Sequence, residues 1–294
     1  MTPPELVATY WTIGGNCRPS GGPDEVSPFD FRDRVETARK VGYRGIGFAY
    51  ADIMAVSDRI GFDTMKAVLD DNDMKHVEVE NIFDWFTSGE RRRRSDVIRR
   101  DLMNAAKRLG ARHIKIGGDF ENEGRTDWSM EHLAREFRQL CDEAAEVGAG
   151  ISLEIMPFTN LRTIDQGLEL LRRAGAPNGG IMIDIWHMGR GGIDYDDVAR
   201  IPKDALSWVE VNDALDEVQG SLFNDTVNHR VLPGEGALRF RDFLRAIQAT
   251  GYDGPYGVEI LSDEHRLLPL DEAASRAFDA TMKEFESVER ETAQ

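Results

Sequence analysis

The stretch from His113-Ile-Lys-Ile-Gly117 to Ile151-Ser-Leu-Glu-Ile-Met156, followed by Ile181-Met-Ile-Asp-Ile-Trp186, decides the fold. Between the first two apolar runs, Leu133, Phe137, Leu140, Cys141 and Ala144 recur at helical spacing, and Gly148 closes the pattern. Short runs rich in Ile, an amphipathic helix, a glycine and a further apolar run make a strand, helix, strand unit. Cys141 on that apolar face reads as core.

The same unit extends in both directions. Strands are expected at Leu6 to Ile13, Tyr43 to Phe48, His76 to Ile82, His113 to Gly117, Ile151 to Met156, Ile181 to Ile185, Leu206 to Val211 and Tyr256 to Leu261. Gly42, Gly110, Gly148, Gly175 and Gly251 stand where helices should end. Alternating units imply parallel strands with right-handed crossovers, and eight of them in 294 residues favour a closed barrel over an open sheet. The expected architecture is a single α/β domain over residues 1–294, a (β/α)8 TIM barrel, with residues 287–294 a frayed polar tail. Two long connections, Gly14 to Ser27 and Asn212 to Gly236, both follow strands and so belong to the catalytic face.

Composition narrows the partners. With 36 Lys plus Arg against 53 Asp plus Glu the net charge is −17, which disfavours nucleic acid and anionic membrane and points to a small molecule. Met1 to Gly15 has no basic leader pattern, no apolar run is long enough for a bilayer, and the 2 cysteines form no CxxC pair. A cytoplasmic protein is expected. The Arg91 to Arg94 run, with Arg99 and Arg100, reads as a solvated helix face.

In a barrel of this kind the site is built at the C-terminal ends of the strands, so acids late in apolar strands carry the information. Glu154, Asp184, Glu210 and Glu259 interrupt the fifth to eighth strands. Four converging carboxylates repel one another and are costly to bury unless a cation joins them. An all-oxygen set suits a hard divalent ion, Mn²⁺ or Mg²⁺ ahead of Zn²⁺, with Co²⁺ also admissible. His113 and Lys115 alternate onto one face of the fourth strand. Either they reach the mouth, where His113 can act as acid or base, or they are a core histidine and a snorkelling lysine. Glu78 and Glu80 on the third strand line the mouth or lie at a solvated edge. Trp11, Phe48, Trp85 and Trp186 stack on a ligand or pack in the core, with Trp186 the best placed for a ligand.

These residues resemble the xylose isomerase-like TIM barrels, in particular their sugar phosphate isomerase and epimerase branch. Asp184-Ile-Trp-His187 is similar to an Asp-x-x-His on the sixth strand, and His229-Arg230 with Pro233-Gly-Glu-Gly236 to a His-Arg…Pro-Gly-x-Gly loop. The resemblance implies that Glu154, Asp184, Glu210 and Glu259 bind the metal and that Glu154 and Glu259 also move protons. His187, Arg230, Trp186, Asn212 and His229 would meet the substrate. One departure stands out: Glu210-Val-Asn-Asp213 replaces a stretch whose first residue is a metal-binding His in the family. Glu210 then takes that place, strengthens the preference for Mn²⁺ or Mg²⁺, and calls for a nearby cation, Arg230 first; Asn212 is the alternative ligand or a substrate contact.

The implied activity is isomerisation or epimerisation of a keto sugar or related polyhydroxy ketone by proton removal beside a carbonyl. The competing activity is a lyase, by dehydration of a keto-polyol or cleavage of a 3-keto-glycoside. An apurinic-site nuclease is disfavoured by the 6 histidines and the acidic charge; a non-catalytic barrel is the remaining class. The resemblance implies a dimer or tetramer, and leaves a second kind of chain open.

Overall fold

A computed structural model describes residues 3–20, 22–124 and 127–292. Eight parallel strands close into a barrel: β1 (Leu6–Ala8), β2 (Gly45–Ala49), β3 (His76–Ile82), β4 (His113–Ile116), β5 (Gly150–Glu154), β6 (Gly179–Asp184), β7 (Leu206–Val211) and β8 (Tyr256–Val258). Their order around the barrel is β1-β8-β7-β6-β5-β4-β3-β2, so every strand pairs with its chain neighbours and β8 seals against β1. The expected single TIM barrel is the fold.

Strand alternation divides the side chains between two cores. Val79, Ile114, Leu153, Ile181, Ile183 and Val209 point outward into the main core between strands and helices. Val7, Met182 and Trp208 form a small plug inside the barrel. Polar residues of the same inward parity, Glu154, Asp184 and Glu210, lie one layer above that plug, at the C-terminal end. Helices end as the glycines require: Gly110 and Gly175 adopt left-handed conformations and return their N–H groups to Ala106 and Leu171.

Several strand ends shift by one or two residues from the sequence reading, and three boundaries differ by more. The first strand stops at Ala8, and Tyr10–Ile13 form a short helix. Thr9 and Thr12 each donate a hydroxyl to the Val258 carbonyl, at 2.9 and 2.6 Å, and the Ile260 N–H returns to Thr12 Oγ1. These bonds to the last strand bend the chain, which a local pattern of aromatic and β-branched residues cannot announce. The eighth strand likewise ends at Val258, with Glu259 just beyond it. The frayed tail is corrected as well: the last helix runs Leu270–Thr292 and buries Val288 completely, because a hydrophobic face continues through a charged segment. Residues 293 and 294 of that expected tail lie outside the described residues.

The long connection after β7 is organised by a two-residue antiparallel ladder, Asp213–Ala214 with Arg230–Val231, and by the helix Leu222–Asn228. Its effect is to bring Arg230 back over the barrel. Three arginines of the Arg91 to Arg94 run are paired with acids, Arg91 on Asp84 and Asp119, Arg92 on Asp96 and Glu136, and Arg93 on Glu90. No helix among the described residues is long and apolar enough to cross a membrane.

Candidate metal centre

Strand register brings the four acids together. Asp184 on β6 pairs directly with Glu210 on β7, while Gly257, paired with Glu210 on the other side, leaves space before Glu259. Glu154, Asp184, Glu210 and Glu259 are all buried, and each offers an oxygen within 4.8 Å of the others. That spacing suits one shared cation.

Each carboxylate is oriented by a different neighbour. Asp184 accepts the Trp186 N–H through Oδ1 at 2.6 Å, capping the helix Ile185–Arg190, and accepts Arg230 Nη1 and Asn212 Nδ2 through Oδ2 at 2.8 and 2.9 Å. Glu154 Oε1 lies 3.1 Å from His187 Nε2. Glu259 takes Lys115 Nζ on Oε1 at 3.1 Å and Arg230 Nη1 on Oε2 at 2.8 Å. Glu210 Oε1 is 2.8 Å from Lys115 Nζ, but neither of its oxygens receives a hydrogen bond. Asn212 Oδ1 and His187 Nδ1 are also buried without a hydrogen-bond partner. A carboxylate and an amide oxygen left without donors are what a bound hard cation would satisfy, so the residues fit a divalent ion.

Electrostatics follow from crowding. Burial raises the Glu210 carboxyl well above the usual range, Glu259 adds to the effect, and Lys115 opposes it. Glu80 is pushed up to about 8 by burial, against the pull of Lys115, and burial raises Glu78 too. Glu154 moves the other way. Burial works against its ionisation, but Lys115 and then the His187 hydrogen bond prevail and hold it below the ordinary value. Burial likewise works against charge on Lys115, and the carboxylates of Glu210, Glu259 and Glu80 outweigh it, keeping the ammonium charged.

The cation expected beside Glu210 is Lys115, whereas Arg230, the first candidate, pairs with Asp184 and Glu259. Arg230 is fixed by Thr226, which accepts from Nε and Nη2, and lies over the Trp186 ring. Trp186 itself is fully buried, with its indole N–H given to Asp225 at 3.0 Å, so it props Arg230 and offers no face to a sugar. Phe48 and Trp85 are core residues. His229 is half-buried, with its backbone bridged to Ser262. Phe83, Phe120, Phe158 and Phe223 form a row, with successive ring centroids 4.8, 5.6 and 6.4 Å apart, on the connections that follow four different strands.

His113 is corrected. As the first residue of β4 it lies at the opposite, N-terminal end of the barrel, where it packs on Trp208 at 4.6 Å beside a cavity of about 470 Å³ that Arg112 and Tyr252 also line. Burial depresses its imidazole to about 3. Depth along the strand is the reason: two residues later on the same face, Lys115 reaches the acids that His113 cannot. Glu78 and Glu80 also belong to the mouth, with Lys115 Nζ at 3.8 and 2.8 Å.

A closed parallel barrel with four buried carboxylates, at or just past the ends of its last four strands, gathered at one point is a TIM barrel with a candidate metal centre. Residues 35–284 match the model of the xylose isomerase-like TIM barrel, and the chain belongs to that family. It is similar to 3-dehydroshikimate dehydratase of Pseudomonas aeruginosa, 30% identical over 142 residues, which are 47% of this chain and 22% of that protein. It is similar to inosose isomerase of Halalkalibacterium halodurans, 27% identical over 147 residues, covering 49% of this chain and 51% of that one. The chain thus spans at most about half the length of these curated relatives. The crystal structure of an IOLI protein with a bound zinc atom superposes with a TM-score of 0.82 at 18% identity over 97% of this chain and 99% of that one, a likeness of fold.

Proposed function

We propose that the chain is a divalent-metal-dependent isomerase or epimerase of a keto sugar or related polyhydroxy ketone, acting in the cytoplasm as a dimer or tetramer, with Mn²⁺ as its ion. The observation that carries the reading is the four-carboxylate set, one oxygen from each within 4.8 Å of the others, with both Glu210 oxygens lacking hydrogen-bond donors. A bound divalent ion supplies Lewis-acid polarisation of a carbonyl and stabilises charge on its oxygen. Glu154 ends β5 and Glu259 directly follows β8, so the two approach the centre from different strands of the barrel. One takes the proton from the carbon beside the ketone, and the same group or the other returns it to carbon. Glu154, held ionised, suits the role of base. His187 orients Glu154 and faces the substrate oxygens, Arg230 adds positive charge, and the phenylalanine row walls the mouth against water.

A dehydratase is the second reading, supported by the similarity to 3-dehydroshikimate dehydratase. Proton removal is shared; the outcome differs in whether the β C–O bond then breaks, the hydroxyl taking the bonding pair and the proton carried by the carboxyl group to leave as water. The test is to incubate the Mn²⁺-loaded protein in deuterated water with an inosose, a ketohexose and 3-dehydroshikimate. A saturated isomer carrying carbon-bound deuterium supports the isomerase, an unsaturated product replaces it with the lyase, and no turnover or exchange on any of the three overturns both.

A further inference from the structure

Lys115 has no part in the proton transfers above, yet it occupies the most crowded point of the barrel. Its side chain is 2% exposed, and Nζ lies 2.8 Å from Glu80 Oε2, 2.8 Å from Glu210 Oε1 and 3.1 Å from Glu259 Oε1. One ammonium thus lies among three carboxylates at or next to three strands, hydrogen-bonded to Glu259 and in ion-pair contact with Glu80 and Glu210. Arg230 serves the other edge, Asp184 and Glu259. Among the described residues, Lys115 is thus the one cation in ion-pair contact with Glu210.

We infer that Lys115 is a positioning residue of the metal centre, a fixed counter-charge that holds Glu210 and Glu259 in place before the ion arrives and limits how tightly the centre then binds it. The inference rests on the metal-centre reading above. Six acids, Glu78, Glu80, Glu154, Asp184, Glu210 and Glu259, are buried in one barrel mouth. A divalent ion offsets two charges at most, so a built-in cation is needed both with and without it. A compact ammonium on a flexible stem suits a point where carboxylates converge from several directions, whereas a guanidinium suits the planar two-acid edge that Arg230 bridges.

This role has two consequences of opposite sign. Without the ammonium, Glu210 and its neighbours are stranded as buried unpaired acids, and the metal-free fold weakens. The same loss removes a positive charge beside the incoming ion, so metal binding tightens. A lysine that merely packed its stem would change the first and leave the second alone.

The experiment compares the parent, Lys115→Met, Glu210→Gln and the double variant as full-length protein. Chelator-treated samples are melted by calorimetry, and each is titrated with MnCl₂. Lys115→Met is expected to melt lower without metal and to bind Mn²⁺ at least tenfold more tightly than the parent. In the double variant a neutral pair replaces the stranded acid, and part of the melting temperature returns. A folded Lys115→Met with unchanged or weaker Mn²⁺ affinity overturns the inference, as does a double variant whose melting loss is the sum of the two single losses. If Lys115→Met does not fold alone, a folded double variant supports the pairing and an unfolded one overturns it. A parent that binds no Mn²⁺ sinks the metal-centre reading only, because coupling between positions 115 and 210 in the metal-free melts still decides the role of Lys115.

Discussion

Asn212 donates its amide to Asp184 Oδ2 at 2.9 Å while its own Oδ1 is buried and accepts nothing. Asp184 therefore fixes the amide plane, and the free oxygen of Asn212 competes with Glu210 for the role of β7 ligand. Charge favours Glu210, because it belongs to the set of oxygens within 4.8 Å. Glu210→Gln should weaken Mn²⁺ binding about tenfold or more with the fold intact, since the amide keeps shape and loses the charge that holds a hard cation. Glu210→His should shift preference toward Co²⁺ or Zn²⁺. Asn212→Ala should leave affinity within a few-fold of the parent. Titration calorimetry and metal analysis decide; if only Asn212→Ala loses the ion, the ligand on β7 is Asn212.

Arg230 bridges Asp184 and Glu259 through one nitrogen, so its loss unpairs two buried acids at once. Arg230→Met should cost about 3–5 kcal/mol in the metal-free state, the range for breaking a buried ion pair. Saturating Mn²⁺ should recover part of that loss, because it binds only the folded chain. Chemical denaturation with and without Mn²⁺ measures both. A loss below about 1 kcal/mol would mean that the bridge carries no net stability.

Metal-free stability should fall as pH rises from 6.5 to 8. Burial holds the Glu80 carboxyl up to about 8, and Glu210 is raised in the same direction, so the folded chain keeps protons that an unfolded chain, with Glu near 4.5, has lost. Where the folded state binds more protons, stability declines with increasing pH. Below about 6.5 the buried, neutral His113 acts in the opposite sense, because its folded value of about 3 lies under the unfolded 6.5, so the carboxyl effect is isolated only above it. Glu154, lowered, is ionised in both states throughout this window. Melting temperatures of chelator-treated protein across the window check the sign, and a flat or rising profile contradicts it. Mn²⁺ affinity should rise over the same interval with release of protons.

Much of this centre was legible because acids in apolar strands violate the local pattern, and Glu154, Asp184, Glu210 and Glu259 each do so late in a strand. Parity told that His113 and Lys115 share a face; only depth distinguishes them, and counting from the strand's end would have favoured Lys115. Glu78 and Glu80 are open to both readings in the sequence because alternation on one strand does not say which face is the barrel's inside. The bend after Ala8 and the support of Trp186 by Asp225 depend on residues more than 30 positions apart in sequence, where no local period reaches. Arg230 was found by motif, but the ladder that carries it, Asp213–Ala214 on Arg230–Val231, is two residues long and below any periodic signal.

Two histidines expected in the site, one beside Glu154 and one at the far end of the barrel, provide a paired test. His187 touches Glu154 at 3.1 Å, whereas His113 packs on Trp208 at the far end of the barrel. His113→Asn should alter melting through lost packing while leaving kcat/KM and Mn²⁺ affinity within about twofold. His187→Asn should lower kcat/KM and also change its pH dependence. Burial already opposes ionisation of Glu154, and Lys115 with the His187 hydrogen bond keeps it low; with one of those supports gone, its carboxyl rises. Because a base must be ionised to accept a proton, the acid limb of the kcat/KM profile should move up by about one pH unit. An unmoved acid limb in His187→Asn would remove Glu154 as the base that His187 tunes, and an equal loss of turnover in both variants would return His113 to consideration through a route that the barrel geometry does not provide.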